Sequence, residues 1–298
     1  MQMALECVGL SKQYRRMSAL QNCTLRIPAG QVIGLVGPNG AGKTTLLHMA
    51  VGLLTPSKGR ITVLGYDPQK QGGQLLKKIG FVAQEHPLLK TFTVKELITF
   101  GRKMNTQWDD GFAARRIKQL GIPPNHPSGK LSGGQQAQIA LILALAKVPE
   151  LLILDEPIAS LDPLARREFQ KLLAEVVSER SLTVIFSSHL VSDLEFLCNY
   201  LVVLSSSQLQ LAEDVARLKE THQWIVGPAE LARSLSQTGT ILETSQHGQQ
   251  SKFLIRNDHS SINAAQGGQD ASLEDIILAY LAHPEMRNVN SKTERLEV

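Results

Sequence analysis

An α/β domain built on a largely parallel sheet is predicted through residue 204 of this 298-residue chain. Three observations predict it. Short β-branched runs alternate with stretches of helical period. One run, Leu151–Asp155, is apolar up to its terminal acid, as a strand covered on both faces must be. The glycine-rich turn Gly37–Gly42 joins a strand-like run to a helix-like one, the junction from which such sheets are built.

The elements follow in order. Gln31–Val36 is apolar and β-branched and reads as a strand; Lys43–Gly52, beyond the turn, reads as a helix. Arg60–Gly65 and Ile79–Gln84 read as strands. Val94–Met104, Gly111–Leu120 and Gly134–Lys147 have helical period. Leu151–Asp155 is a buried strand, Pro163–Arg180 a long amphipathic helix, Leu182–Ser187 a strand and Asp193–Cys198 a short helix. Beyond Ser205 the patterning weakens. Gln223–Val226, Thr240–Glu243 and Lys252–Arg256 are candidate short strands, with polar loops at Ser245–Gln250 and Gln266–Gln269. Ser272 with Asp275 three residues on looks like an N-cap before the apolar helix Leu273–Leu281. The polar residues after His283 are expected to fray.

Composition bounds the function. Hydrophobic residues make up 43% and charged residues 19%, which excludes wholesale disorder and collagen-like repeats. The net charge of +4 is too mild to point to nucleic acid. It is uneven, however: residues 1–204 hold 23 basic and 15 acidic side chains, residues 205–298 hold 8 and 12. A basic front part suits a polyanionic ligand, and the change of sign marks a candidate boundary. Cys7, Cys23 and Cys198 are odd in number and form no CxxC pair, so a disulfide framework or zinc site is not expected and a reducing compartment fits. Met1–Arg16 has no continuous apolar core for a secretory signal. No apolar run approaches the ~18 residues needed to span a bilayer; Ile139–Ala146 stops at Lys147. A role at a membrane therefore requires another chain to supply the spanning part.

The sharpest motif is Gly37-Pro38-Asn39-Gly40-Ala41-Gly42-Lys43-Thr44, which matches G-x-x-x-x-G-K-[ST] between a strand and a helix. Glycines let successive backbone N–H groups turn inward onto an anion, and the helix N-terminus adds positive potential. Lys43 is placed to reach β- and γ-phosphates, and the Thr44 hydroxyl to ligate Mg²⁺. A second small-residue loop, Leu131-Ser132-Gly133-Gly134-Gln135, precedes a long apolar helix. Alone it is an N-cap with two glycines; its serine and exposed backbone also suit an anion. Leu151–Leu154 ends in the paired carboxylates Asp155 and Glu156, followed by Pro157.

With both loops and the paired acids in this order and spacing, residues 4–220 resemble the nucleotide-binding subunit of ATP-binding cassette (ABC) transporters. The resemblance implies a P-loop NTPase fold with an N-terminal antiparallel β subdomain and an inserted helical subdomain at about 86–150. It implies ATP and Mg²⁺ as ligands, held by the loop Gly37–Thr44 with Thr45. It implies that Asp155, Thr44 and Gln84 serve the metal, that Glu156 is general base or water-positioning group, and that Gln84 senses the γ-phosphate. His189 resembles the family's switch histidine at the γ-phosphate. Ser160-Leu161-Asp162 resembles the loop that communicates between sites, although Asp162 before Pro163 also reads as a plain N-cap. Tyr14 resembles the aromatic that stacks on adenine; a half-buried core tyrosine is the alternative. Ser132, Gly133, Gly134 and Gln135 are implied to act in trans, on ATP held by a second subunit.

The implied partners are a second ATP-binding subunit, with a homodimer expected, and integral-membrane permease subunits docked through the region around Phe81–Phe100, including Pro87, Thr93 and Glu96. The implied location is peripheral, at the cytoplasmic face of the cell membrane, with no transmembrane segment in this chain. The final helix resembles the C-terminal end of drug, bacteriocin or polysaccharide-type exporter subunits, so a multidrug- or antibiotic-type exporter is expected. A soluble ABC ATPase acting on a macromolecule is the alternative. Its coiled-coil subclass does not fit, because Lys43 and Leu131 are 88 residues apart with no heptad run between them. One departure from the family stands out. The helix after Ser132 usually carries basic residues where this chain has Gln136, Gln138 and Leu143, which puts its ion pairs in doubt. Residues 221–298 are expected to form a small α+β appendage with a regulatory or dimerising role.

Overall fold

The computed structural model describes residues 2–193, 195, 197–247, 250–257, 268–283 and 288–289. Chain order begins with β1 (Met3–Tyr14), β2 (Met17–Pro28), β3 (Val32–Val36), α1 (Lys43–Ala50), β4 (Lys58–Val63), α2 (Gly72–Lys78) and β5 (Ile79–Val82). A helical segment follows, α3 (Val94–Met104), α4 (Asp110–Leu120) and α5 (Gly133–Ala146). The chain then runs through β6 (Leu151–Leu154), α6 (Pro163–Glu179), β7 (Thr183–Ser188), β8 (Tyr200–Ser205) and β9 (Gln208–Asp214). The remainder is α7 (Val215–Thr221), β10 (His222–Gly227), α8 (Leu231–Thr238), β11 (Thr240–His247), β12 (Gln250–Arg256), β13 (Gln269–Asp270), α9 (Leu273–Ala282) and β14 (Asn288–Val289).

The central sheet has the order β14-β9-β8-β3-β7-β6-β5. Strands β8, β3, β7, β6 and β5 run parallel and β9 turns back against β8. Every residue of β3, β6 and β7 is buried, which is why these runs lack a polar alternation. Parallel direction has a functional consequence. Val36 pairs with Ser188, Leu154 with Phe186, and Val82 with Leu154, so β3, β5, β6 and β7 all end at one edge of the sheet. The turns leaving that edge begin with Gly37, Ala83, Asp155 and His189.

A second sheet, β2-β1-β4, is antiparallel and covers one face of the central sheet, burying Cys7, Leu10, Cys23 and Leu25. The helical segment is set by its caps. A reciprocal Thr93–Glu96 capping box starts α3, Asp109 caps α4, and Gly121 at φ 64° ends α4. Nine of the 14 residues of α5 are buried, among them Ala137, Ile139, Leu141, Ile142 and Leu145, so this helix is wrapped nearly all round.

The C-terminal portion is a four-stranded antiparallel sheet, β11-β12-β10-β13, covered on both faces. Period-2 alternation divides its side chains. Trp224 and Leu254 face Ile276, Ile277 and Tyr280 of α9 in the main core, whereas Ile225, Phe253 and Ile255 face Leu235 of α8. Helix α9 also packs on β8 and β9. At about 1.5–3 kcal/mol for each large apolar side chain buried, α9 contributes several kcal/mol by joining the C-terminal sheet to the central one.

The structure departs from the sequence reading in definite places. β11 and β12 continue through Ser245, Gln246 and Gln250, where the sequence reads as loop, because ladder hydrogen bonds override polar composition there. In place of a helix from Asp193 to Cys198, a 3₁₀ turn spans Val191–Asp193; Leu194 and Phe196 lie outside the described residues. The short helices α2, α7 and α8 had no periodic signal strong enough to read over seven or eight residues. The tail after His283 falls almost wholly outside the described residues.

Candidate functional site

The turn after β3 is shaped by two glycines that no other residue replaces. A Cβ on Gly37 would lie 2.2 Å from the Leu204 carbonyl oxygen. Gly42 has φ 105°, and its Cβ would lie 2.5 Å from the Ala19 oxygen. The loop is thereby pressed onto β8 and β2, and residues 39–45 line the cleft. Gly42 is also the N-cap of α1, and no side chain caps that helix or places an acid in its first turn. The positive end of α1 is therefore open to an anion, whereas α3, α4, α5, α6, α7 and α9 each carry a side-chain cap.

Lys43 opens α1 and is 4% exposed. Its Nζ donates to the Gly37 oxygen at 2.7 Å and the Pro38 oxygen at 3.3 Å, and lies 3.1 Å from Glu156 Oε1. The other Glu156 oxygen accepts from His189 Nδ1 at 3.2 Å. Glu156 sits at φ 44°, the left-handed region, which costs a side-chain-bearing residue about 1–3 kcal/mol. Asp155, 1% exposed, accepts from the Thr44 hydroxyl at 3.2 Å and from the Ser187 hydroxyl at 2.9 Å. Thr44 spends its proton on Asp155, so its oxygen lone pairs remain for a hard cation. With the carboxylate beside it, this all-oxygen donor set fits Mg²⁺.

The cleft at this edge, about 450 Å³, is lined by Tyr14, Met17, Asn39–Thr45, Gln84 and Glu156 among others. Tyr14 ends β1, is 41% exposed and faces the same space as the loop, an arrangement that suits a flat base. Gln84 lies exposed two residues beyond the end of β5.

The second loop is elsewhere. Ser132 caps α5 in a reciprocal box with Gln135, and a Cβ on Gly134 would lie 2.5 Å from Ala165 Cβ where α5 meets α6. Ser132, Gly134 and Gln135 line a separate cleft with Asp162, Leu164 and Glu168, and none of them lines the cleft at Lys43. Within one chain the two phosphate-suited loops are thus not brought together. Asp162 caps α6 through Leu164 and Ala165 N–H groups, as its position before Pro163 predicts. The missing basic residues of α5 are replaced by neutral links. Gln138 donates to Glu168 at 2.8 Å and Gln136 to the Leu131 oxygen at 2.9 Å, while Leu143 packs in the helical subdomain core.

Four residues at the site carry no sequence signal of their own. Ser187 bridges Asp155 and the Glu156 amide, which donates to it at 2.8 Å. Ser188 donates to the buried Asp193 at 2.9 Å, and Asp193 pairs with Arg166 of α6 at 3.3 Å, tying the His189 turn to that helix. His86, 4% exposed, has Nε2 2.7 Å from the Pro157 carbonyl. A carbonyl only accepts, so Nε2 carries the proton and the ring links the Gln84 turn to the segment after Glu156.

Burial holds the His86 pKa below its usual 6.5, with the Pro157 hydrogen bond opposing that shift. The folded chain therefore refuses a proton that the unfolded chain accepts. The resulting stability is present above pH 6.5 and is lost as pH falls toward the lowered folded value. Thermal melting between pH 7.5 and 5 is expected to show a smaller fall in Tm for His86→Gln than for the parent. An equal or steeper fall would remove His86 as a source of the pH dependence.

A family model described as ABC transporter matches residues 20–159. Over 218 residues the chain is 34% identical to the sulfate/thiosulfate import ATP-binding protein CysA of Brucella melitensis biotype 1, covering 70% of this chain and 60% of that protein. It is 36% identical over 210 residues to the Nod factor export ATP-binding protein I of Rhizobium johnstonii, covering 69% and 67%. The chain thus spans about 60% of the length of the CysA relatives. Among solved structures, cbiO1 from Clostridium perfringens, part of the cbiONQ ABC transporter complex, superposes with a TM-score of 0.62 at 29% identity, covering 72% of this chain and 89% of that one. The dimeric ATP-binding cassette MJ0796 bound to ADP and Pi superposes with a TM-score of 0.63 at 25% identity, covering 71% and 98%.

Proposed function

The chain belongs to the ABC transporter family, and from that premise we propose that it is an ATP-hydrolysing subunit that acts as a head-to-tail pair and powers a separate integral-membrane permease. One observation carries the ATPase reading: at a single sheet edge, an uncapped helix N-terminus and Lys43 lie within bonding reach of a buried Glu156, itself paired with His189.

The triphosphate lies in the Gly37–Thr45 loop with the adenine on Tyr14. Lys43 then has phosphate oxygens as partners, and its hold on Glu156 Oε1 loosens. Glu156 orients a water and takes its proton as the water oxygen bonds to the γ-phosphorus. The bond to the bridging oxygen breaks and ADP leaves with that electron pair. His189 donates to the γ-phosphate while Gln84 reports its presence. Mg²⁺, when bound, neutralises charge on the β- and γ-phosphates, with Thr44, Asp155 and Gln84 as the residues to hold it.

The separation of the two loops within one chain supports the pairing. The Ser132–Gln135 loop, on a helix N-terminus, closes over ATP held by a partner, and hydrolysis lets the pair reopen. A homodimer is the simplest form, since both loops are complete in this sequence. No helix among the described residues is long and apolar enough to cross a membrane, which fits a peripheral subunit at the cytoplasmic face. We assign export as the direction. The Nod factor export relative and the resemblance of the last helix to exporter subunits favour it, although relatives named for import are equally similar.

Glu156→Gln tests the reading. Steady-state ATP hydrolysis is expected to fall about 10²–10⁴-fold. Nucleotide binding should be retained, and light scattering should show an ATP-dependent dimer that no longer reopens. Hydrolysis at the parent rate would remove Glu156 from the mechanism.

A further inference from the structure

We propose that Ser187 is a positioning residue for the hydrolytic centre: its one hydroxyl fixes both the carboxylate of Asp155 and the backbone of Glu156. Three observations meet at this atom. Ser187 is fully buried near the end of β7, one of the central strands of the sheet, so its Oγ is held by a rigid element. The hydroxyl donates to Asp155 Oδ1 at 2.9 Å, the same oxygen that receives the Thr44 proton. Its lone pair accepts the Glu156 amide at 2.8 Å, exactly one donor and one acceptor bond from a group that offers both.

The second bond matters because of where Glu156 sits. At φ 44° the residue is strained, and a strained backbone persists only where its surroundings hold it. The buried Glu156 amide has its partner in Ser187 Oγ, and no other residue type of that size supplies both an acceptor for the amide and a donor for the carboxylate. The first bond matters because it orients Asp155 together with Thr44. Removing an outer partner of a ligating carboxylate costs typically about 10–100-fold in metal affinity or activity. A single side chain therefore couples the aim of the metal-holding group to that of the water-positioning group. The inference rests on the roles proposed above for Asp155 and Glu156.

The test uses the full chain and four proteins: parent, Ser187→Ala, Ser187→Thr and Ser187→Cys. Binding of a fluorescent ADP analogue is measured with EDTA and with Mg²⁺, Mn²⁺ binding to the ADP complex is followed by electron paramagnetic resonance, and kcat and KM for ATP are determined. Ser187→Ala is expected to bind the analogue normally in EDTA, which also shows that it is folded. It is expected to lose about 10–100-fold in Mn²⁺ affinity and a similar factor in kcat. Ser187→Thr, which keeps the hydroxyl, is expected to restore most of both losses; Ser187→Cys, with a weak donor, should fall between. If Ser187→Ala binds Mn²⁺ and turns over like the parent, the proposal is overturned. It is equally overturned if the alanine variant weakens binding in EDTA as much as with metal, or if threonine rescues nothing while remaining folded. A parent protein with no metal-dependent hydrolysis would instead sink the ATPase reading itself, so the two failures are told apart.

Discussion

Lys43→Ala is expected to reduce ATP hydrolysis by at least about 10²–10³-fold, the usual cost of deleting one aligned donor at developing charge. Its second effect is on the fold. Lys43 and Glu156 are 4% and 8% exposed and 3.1 Å apart. Truncating one partner of a buried pair typically destabilises by about 3–5 kcal/mol, because the remaining charge has lost its counter-ion. His189 still faces Glu156, so the lower end of that range applies here. At roughly 2 °C per kcal/mol for a chain of this size, nucleotide-free Lys43→Ala should melt several degrees below the parent. Adding Glu156→Gln to that variant removes the unpaired charge and should recover much of the loss. Differential scanning calorimetry without nucleotide reads both effects. A double variant less stable than Lys43→Ala alone would show that the pair does not hold this edge of the sheet together.

The same pair explains why part of the site was legible in the sequence and part was not. Gly37, Gly42 and Lys43 are read from spacing because their constraint is local: a turn, a close approach and a helix start lie within eight residues. Asp155 and Glu156 are likewise read from an apolar run that ends in two acids. Ser187, Asp193 and His86 gain meaning only from tertiary packing that brings residues 27 to 71 positions apart together, and no local pattern records that pairing. Burial also separates look-alikes. Gln138 had read as a lost basic residue, but the fold shows its amide closing on Glu168, a link that needs α5 and α6 in register. In the fold at large, β3 and β6 declared themselves by apolar runs, and α5 by the apolar stretch from Ile139 to Ala146. In the C-terminal sheet the apolar stretches of β10, β11 and β12 were legible as short strands, but the polar second half of β11 was not, since it is held by ladder bonds to β12 rather than by its own composition.

Mixing two inactive variants is expected to restore ATP hydrolysis, and the geometry of the second loop decides which variants to mix. Gly134 is unsuitable, because any side chain there drives α5 from α6. Gly133 has open space around its Cβ and is the first residue of α5. An aspartate at that position complements the helix dipole, worth about 0.3–1 kcal/mol in favour of the fold. The same charge repels a triphosphate brought up to that helix end. Gly133→Asp should therefore melt at or slightly above the parent temperature, bind nucleotide normally in its own Lys43 cleft, and hydrolyse poorly. Stability and activity move in opposite directions, which separates a charge effect from misfolding. Lys43→Ala fails through the other loop. In a mixed head-to-tail pair, the intact Lys43 of the Gly133→Asp chain meets the intact Ser132–Gln135 loop of the Lys43→Ala chain, and one site of two is whole. Half of randomly formed pairs are mixed, so an equimolar mixture should reach about a quarter of parent activity when the two sites work independently. Activity no higher than the mean of the two variants alone would mean that each chain completes its own site, and the head-to-tail pair would have to be given up.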